Sequence, residues 1–125
     1  MTKRILVVED QEDNRRIIRD LLTSAGYALI EATDGEAGVR LAEAERPDLI
    51  LMDIQLPVLD GHEATRRIKQ NPELRHIPII VVTSYALSGD DAKAMAAGCD
   101  GYVAKPFSPR QLLATIRQFL GDAGG

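Results

Sequence analysis

A chain of 125 residues suffices for one domain whose core holds without disulfides or metal staples. Its 15 lysines and arginines against 19 acids leave a net charge of -4, which argues against nucleic acid as a direct ligand, since phosphate-backbone binding needs a basic face. The single cysteine, Cys99, excludes an intrachain disulfide and a cysteine-rich zinc site and fits a reducing compartment, while the only early apolar run, Ile5 to Val8, is too short for a signal peptide or a membrane span. A cytoplasmic protein is expected.

Ile5-Leu6-Val7-Val8 shows no polar alternation, the mark of a strand buried on both faces, and it ends in Glu9-Asp10. Ile17, Ile18, Leu21, Leu22 and Ala25 then recur at helical spacing, with Asp13 or Asn14 as cap and Gly26 as terminator. Residues 27–32 read as a weaker, edge-like strand. Thr33-Asp34-Gly35 turns the chain into a helix with Ala37, Leu41 and Ala44 inward, stopped at Arg46-Pro47.

Leu49-Ile50-Leu51-Met52 forms the third apolar run and delivers Asp53, followed by Ile54-Gln55-Leu56-Pro57 and Asp60-Gly61. Gly61 to Lys69 is helical, with Ala64 and Ile68 as its apolar contacts, and Asn71-Pro72 ends it. Residues 77–82 form the next buried strand, with Pro78 at its entrance, and stop at Thr83-Ser84. Ser88 to Ala97 reads as a small-residue helix, and Gly101 to Ala104 as a short last strand running directly into Lys105-Pro106. In the final helix Ser108 caps, Pro109 takes the first position, Gln111 completes a capping box, and Leu112, Leu113, Ile116, Phe119 and Leu120 form the stripe.

Five strands alternating with five helices predict right-handed βαβ units: an α/β, doubly wound, flavodoxin-like parallel sheet of order 2-1-3-4-5 with helices on both faces. One domain over residues 1–121 and a flexible tail over 122–125 are expected. This order collects Glu9, Asp10, Asp53, Thr83 and Lys105 at the carboxyl ends of the strands, where open α/β sheets bind ligands. Two carboxylates about 4 Å apart repel by roughly 4 kcal/mol at an effective dielectric of about 20, and one lysine cannot neutralise three acids. Hard oxygen ligands with room for water suit Mg²⁺. With Asp53 as a carboxylate nucleophile and Lys105 and Thr83 for phosphoryl oxygens, the set suits phosphoryl transfer.

The acids Glu9-Asp10, Asp53 with Pro57 and Asp60-Gly61, Thr83-Ser84, and Lys105-Pro106-Phe107 resemble the receiver domain of bacterial two-component response regulators, in its single-domain, chemotaxis-receiver-like form. The resemblance implies that Asp53 accepts a phosphoryl group from a sensor histidine kinase or histidine phosphotransfer protein. It implies that Asp10, Asp53 and the backbone carbonyl of Gln55 bind Mg²⁺, with Glu9 acting mostly through water, and that Lys105 and Thr83 meet the phosphate. Thr83 and Tyr102 would be the switch residues, Gln55, Ser84 and Tyr85 would tune the lifetime of the acyl phosphate, and the Lys105–Pro106 bond would be cis. Tyr85 is expected to shield the phosphoryl group from water. A downstream effector protein would read the state from the last two helices and the strand between them. No direct nucleic acid and no membrane partner are expected, and the chain would be a monomer or weak dimer. It would not be an enzyme, although it would catalyse its own phosphorylation and dephosphorylation.

Two rivals stand beside this reading. A Mg²⁺-dependent phosphohydrolase of the haloacid-dehalogenase type would also use Asp53 as nucleophile, but carries a second aspartate where this chain has Gln55. A receiver-like interaction domain independent of phosphate would have lost an acid, Thr83 or Lys105, and all are present. A flavin or nucleotide binder is disfavoured, because the loop Glu9-Asp10-Gln11-Glu12-Asp13 lacks a glycine fingerprint and repels phosphate. Arg15-Arg16 and Arg66-Arg67 read as solvated helix faces, with Arg15-Arg16 placed to meet an acidic partner. His62 and His76 fit surface or packing roles.

Overall fold

The computed structural model describes residues 2–83 and 98–121. Five parallel strands form one sheet: β1 (Arg4–Val8), β2 (Ala28–Ala32), β3 (Leu49–Asp53), β4 (Ile79–Thr83) and β5 (Gly101–Ala104), in the order β2-β1-β3-β4-β5. Among the described residues four helices accompany them: α1 (Glu12–Ser24), α2 (Gly35–Glu45), α3 (Gly61–Gln70) and α4 (Pro109–Leu120). The helix expected over Ser88 to Ala97 and the tail expected over 122–125 lie outside the described residues. No described helix is long and apolar enough to cross a membrane.

The unalternating apolar runs have a direct structural reason. Ile5, Val7, Leu49, Leu51, Ile80 and Val82 point to one face, where Ile18 and Leu22 of α1 and Leu112 and Ile116 of α4 cover them. Leu6, Val8, Ile50, Met52 and Ile79 point to the other, beneath Ala42 of α2 and Ala64 and Ile68 of α3. Each central strand thus feeds two cores, as parallel sheets require. β2 at the edge has no such run; four of its five residues are only half-buried.

Side chains cap three helices, the expected Ser108 among them. Asp34 accepts from Ala37 N at 2.7 Å, Asp60 from Glu63 N at 2.9 Å, and Ser108 Oγ from Gln111 N at 3.0 Å. The first helix differs from expectation: its cap is Gln11, without a side-chain cap bond, so Asp13 and Asn14 lie inside the helix. Two acids, Glu12 and Asp13, then sit in its first turn, where the helix dipole favours them.

The buried stripes also differ at their margins. Ile17 is 56% exposed rather than packed, Phe119 lies at the surface edge at 37%, and Ala42 takes the inward position expected of Ala44. α2 sits so close to the sheet that a Cβ on Gly38 would be 2.9 Å from Val8 Cγ2, which turns the 35/38/42 row inward. Residues 77 and 78 precede β4 rather than belonging to it, although Ile77 is buried.

Two glycines bring helix N-termini against the loop that follows β3. A Cβ on Gly61 would stand 2.0 Å from the carbonyl oxygen of Asp53, and one on Gly35 would stand 1.7 Å from that of Leu59. Gly61 N also donates to Ile54 O at 2.9 Å. Only a missing side chain lets α3 start this near Asp53.

Candidate functional site

Four of the five strand ends at one edge of the sheet contribute a polar group. Glu9 and Asp10 follow β1, Asp53 closes β3, Thr83 closes β4, and Lys105 follows β5. Glu9, Asp53 and Thr83 are buried, at 2%, 8% and 1% exposure. One carboxylate oxygen from each of Glu9, Asp10 and Asp53 lies within 4.8 Å of the others. At that spacing each pair repels by roughly 3 kcal/mol at an effective dielectric of about 20.

Lys105 is the cation among them, its Nζ 2.8 Å from Glu9 Oε1 and 3.5 Å from Asp53 Oδ2. Its position is fixed through the main chain, because Lys105 N donates to Thr83 O at 2.7 Å; the Lys105–Pro106 peptide is cis. Glu9 is held more tightly still. Its Oε2 accepts from Gln11 N at 3.1 Å, and its own N–H donates to Ala32 O at 3.0 Å.

The protonation of the cluster follows from these contacts. Burial pushes the Asp53 carboxyl up, a hydrogen bond and the charge of Glu9 push it further, and it reaches about 7 despite Lys105 and the Gln55 N–H. Burial raises Glu9 too, but hydrogen bonds from Lys105, Asp53 and the Gln11 N–H outweigh it and hold Glu9 below the usual range. Burial lowers the Lys105 ammonium, but Glu9 and Asp53 outweigh that and hold it above its ordinary value. Without a further cation, these contacts favour the charged form of Glu9 and the protonated form of Asp53.

Beside the cluster opens a cavity of about 270 Å³ lined by Asp10, Gln11, Asn14, Asp53, Gln55 and Lys105. Its wall is polar and its donors are all-oxygen apart from the lysine, so it fits a hard divalent cation that keeps some of its waters. Gln55 stands on the wall with its N–H toward Asp53. Ser84 and Tyr85 lie outside the described residues. Tyr102 is set back from the cluster, half-buried against Ile54, Val81 and Cys99. In register, Val81 pairs with Tyr102 and Thr83 with Ala104, so the Thr83 and Tyr102 side chains leave the sheet on the same face.

Gln11 and Asn14 on the cavity wall were not anticipated from sequence; their spacing of three residues on the first turn after the acid pair was the available signal. Arg15, read as part of a solvated face, is directed inward, with its side chain only 12% exposed. Arg16 next to it is 60% exposed, as expected. His62 is half-buried, consistent with packing.

Residues 5–117 match the response regulator receiver domain family. The polar-differentiation response regulator DivK of Brucella ovis is 46% identical over 123 residues, which is 98% of this chain and 100% of that protein. The receiver domain of sensor histidine kinase PA1611 from Pseudomonas aeruginosa PAO1, solved with a magnesium ion coordinated in its active site cleft, is 42% identical. It superposes with a TM-score of 0.91 over 98% of this chain and 100% of its own. Chemotaxis response regulator CheY4 of Vibrio cholerae, at 28% identity, gives a TM-score of 0.89 over 95% of this chain and 99% of its own. With the strand order and the acid-lysine rim in place, this chain belongs to the receiver domain family of two-component response regulators.

Proposed function

We propose that the chain is a phosphorylation-dependent switch in which Asp53 takes a phosphoryl group from a phosphohistidine of a sensor histidine kinase or histidine phosphotransfer protein. The observation that carries this is a buried carboxylate on a rigid strand end, open to a polar cavity, with two more acids and a lysine 3.5 Å away. Glu9, Asp10 and Asp53, with the main-chain carbonyl of Gln55, would hold Mg²⁺, which when bound supplies positive charge for carboxylate and phosphoryl oxygens.

The Asp53 carboxylate forms a bond to phosphorus as the bond from phosphorus to the donor imidazole breaks. The bonding pair leaves on the imidazole nitrogen, which takes a proton from solvent, and Asp53 becomes an acyl phosphate. Lys105 Nζ neutralises a phosphoryl oxygen, and the Thr83 hydroxyl donates to another. The chain is its own substrate in this scheme, and not an enzyme that turns over a separate one.

The donor has a place to dock. Exposed Ile17 lines an open groove of about 590 Å³ with Asn14, Lys105, Pro106 and Phe107, and Asn14 and Lys105 belong to the acid cavity as well. A partner helix with an apolar stripe laid there brings its phosphohistidine to Asp53. An effector protein would read the flank at the β5 edge of the sheet, where Thr83 and Tyr102 leave the sheet on the same face, the one opposite α4. Phosphate held by Thr83 in one arrangement better than another is what shifts that flank.

Incubating the protein with acetyl phosphate and Mg²⁺ tests the proposal by intact mass. A gain of one phosphoryl group is expected in the native chain, and none in Asp53→Asn or in excess chelator. An adduct that persists in Asp53→Asn would overturn it.

A further inference from the structure

Arg15 and Arg16 are neighbours on α1, yet they do different things. Among the described residues Arg16 reaches only Asp13, at 3.2 Å, on the solvent side. Arg15 turns back beneath the acid pair. Its Nη1 donates to the main-chain carbonyl of Glu9 at 3.0 Å and to that of Asp10 at 3.3 Å. The rest of its guanidinium is held from below: Nε lies 3.5 Å from Glu31 Oε1 on β2, and Nη2 pairs with Glu12. Glu31 is in turn fixed by a two-pronged contact from Arg19, at 2.9 and 2.8 Å.

We propose that Arg15 is a positioning residue for the metal-binding carboxylates, a strap that ties the Glu9–Asp10 main chain to β2 so that both carboxylates stay within 4.8 Å of that of Asp53. The proposal rests on reading Glu9, Asp10 and Asp53 as the Mg²⁺ site.

The logic is steric and electrostatic together. The peptide carbonyls of Glu9 and Asp10 leave the strand ladder where β1 ends, and one planar donor satisfies both. A carboxylate can present itself to a cation only from a main chain that does not swing. Glu9 is anchored by its N–H on Ala32 O and by its carbonyl on Arg15; for Asp10, Arg15 supplies the carbonyl anchor. Groups of this kind, one bond behind the ligands, set metal affinity by orientation. Arg15 is itself a cation close to the site, so its charge works against Mg²⁺ binding. Orientation and charge therefore predict opposite outcomes when Arg15 is removed.

The experiment is calorimetric titration of Mg²⁺ alone into the full chain, well below the melting temperature, for the native protein, Arg15→Met, Arg15→Lys and Arg16→Met. If Arg15 orients the ligands, Arg15→Met weakens Mg²⁺ binding by roughly ten- to a hundredfold. Arg15→Lys, which keeps the charge but loses the planar fork, weakens it to a smaller degree, and Arg16→Met leaves it unchanged. With acetyl phosphate, the half-saturating Mg²⁺ concentration rises by the same factor while the rate at saturating Mg²⁺ holds, a split that general loss of stability does not produce. Unchanged or tighter binding in Arg15→Met overturns the proposal; should that variant not fold, native affinity in Arg15→Lys does so. Absence of Mg²⁺ binding in the native chain is a different result, and overturns the reading of the site itself.

Discussion

Where the strands begin, charges come in matched sets: Lys69 Nζ lies 2.6 Å from Asp100 Oδ2 and also donates to the carbonyls of Arg75 and Ile77, while Asp48 accepts from Arg4 N at 2.8 Å. Where the same strands end, Glu9, Asp10 and Asp53 share one lysine. The first edge closes its charges within the fold and ties α3 to the entrances of β4 and β5, with Asp100 accepting from Ile79 N at 2.9 Å. The second, among the described residues, sets three acids against one lysine and so favours a cation from outside the chain. One edge is built for stability, and the other holds repulsion in reserve for a ligand.

Three measurements bear on that contrast. The largest effect belongs to the matched edge. Lys69→Met leaves two carbonyls and Asp100 without their half-buried donor, and a loss of about 3 kcal/mol in urea unfolding is expected, with Mg²⁺ affinity unchanged. A loss of Mg²⁺ binding of the same size would erase the distinction between the edges.

Substitution at the acid edge should do the reverse. In metal-free protein Asp53 keeps its proton up to about 7, while in the unfolded chain it gives it up near 3.8. The folded state therefore holds more protons across that window, and stability falls as pH rises through it. Asp53→Asn removes the fall. In chelator it should match the native chain near pH ~4 and exceed it by about 2 kcal/mol near pH ~8, read as a melting-temperature gain of several degrees. A variant less stable than the native chain at the higher pH would show that Asp53 is not held against repulsion.

The smallest effect concerns strain in the loop after Asp53. Val58 is 77% exposed and adopts φ 69, a left-handed conformation that a β-branched residue tolerates poorly. Val58→Asn suits that conformation and gives up little packing, so a gain of about 1 kcal/mol is expected in thermal unfolding. No gain would mean that the loop relaxes at no cost.

Much of this is legible in the chain before folding. Runs such as Ile5 to Val8 and Leu49 to Met52 carry no polar alternation because both faces are covered, and each ends where chemistry begins, so sheet order and the rim of Glu9, Asp10, Asp53, Thr83 and Lys105 follow from local pattern and the handedness of crossovers. The caps Asp34, Asp60 and Ser108 are equally local, each a side chain meeting an N–H three residues on. What the pattern does not contain is the margin of a helical stripe and the distance at which elements pack. Ile17 and Arg15 sit two positions apart on α1, and only the docked helix decides that the apolar one faces out and the charged one in. Gly61 reads as the start of a helix, and only the packing of α3 against the Asp53 carbonyl shows why that start must be a glycine. Lys105 and Glu9, 96 residues apart, meet because the parallel sheet brings the carboxyl ends of β1 and β5 to one rim. Local sequence determines element type and strand-end chemistry, since those depend on neighbours a few residues away; burial, charge balance and the protonation of Asp53 belong to the tertiary structure, because each is a sum over groups that only packing brings together.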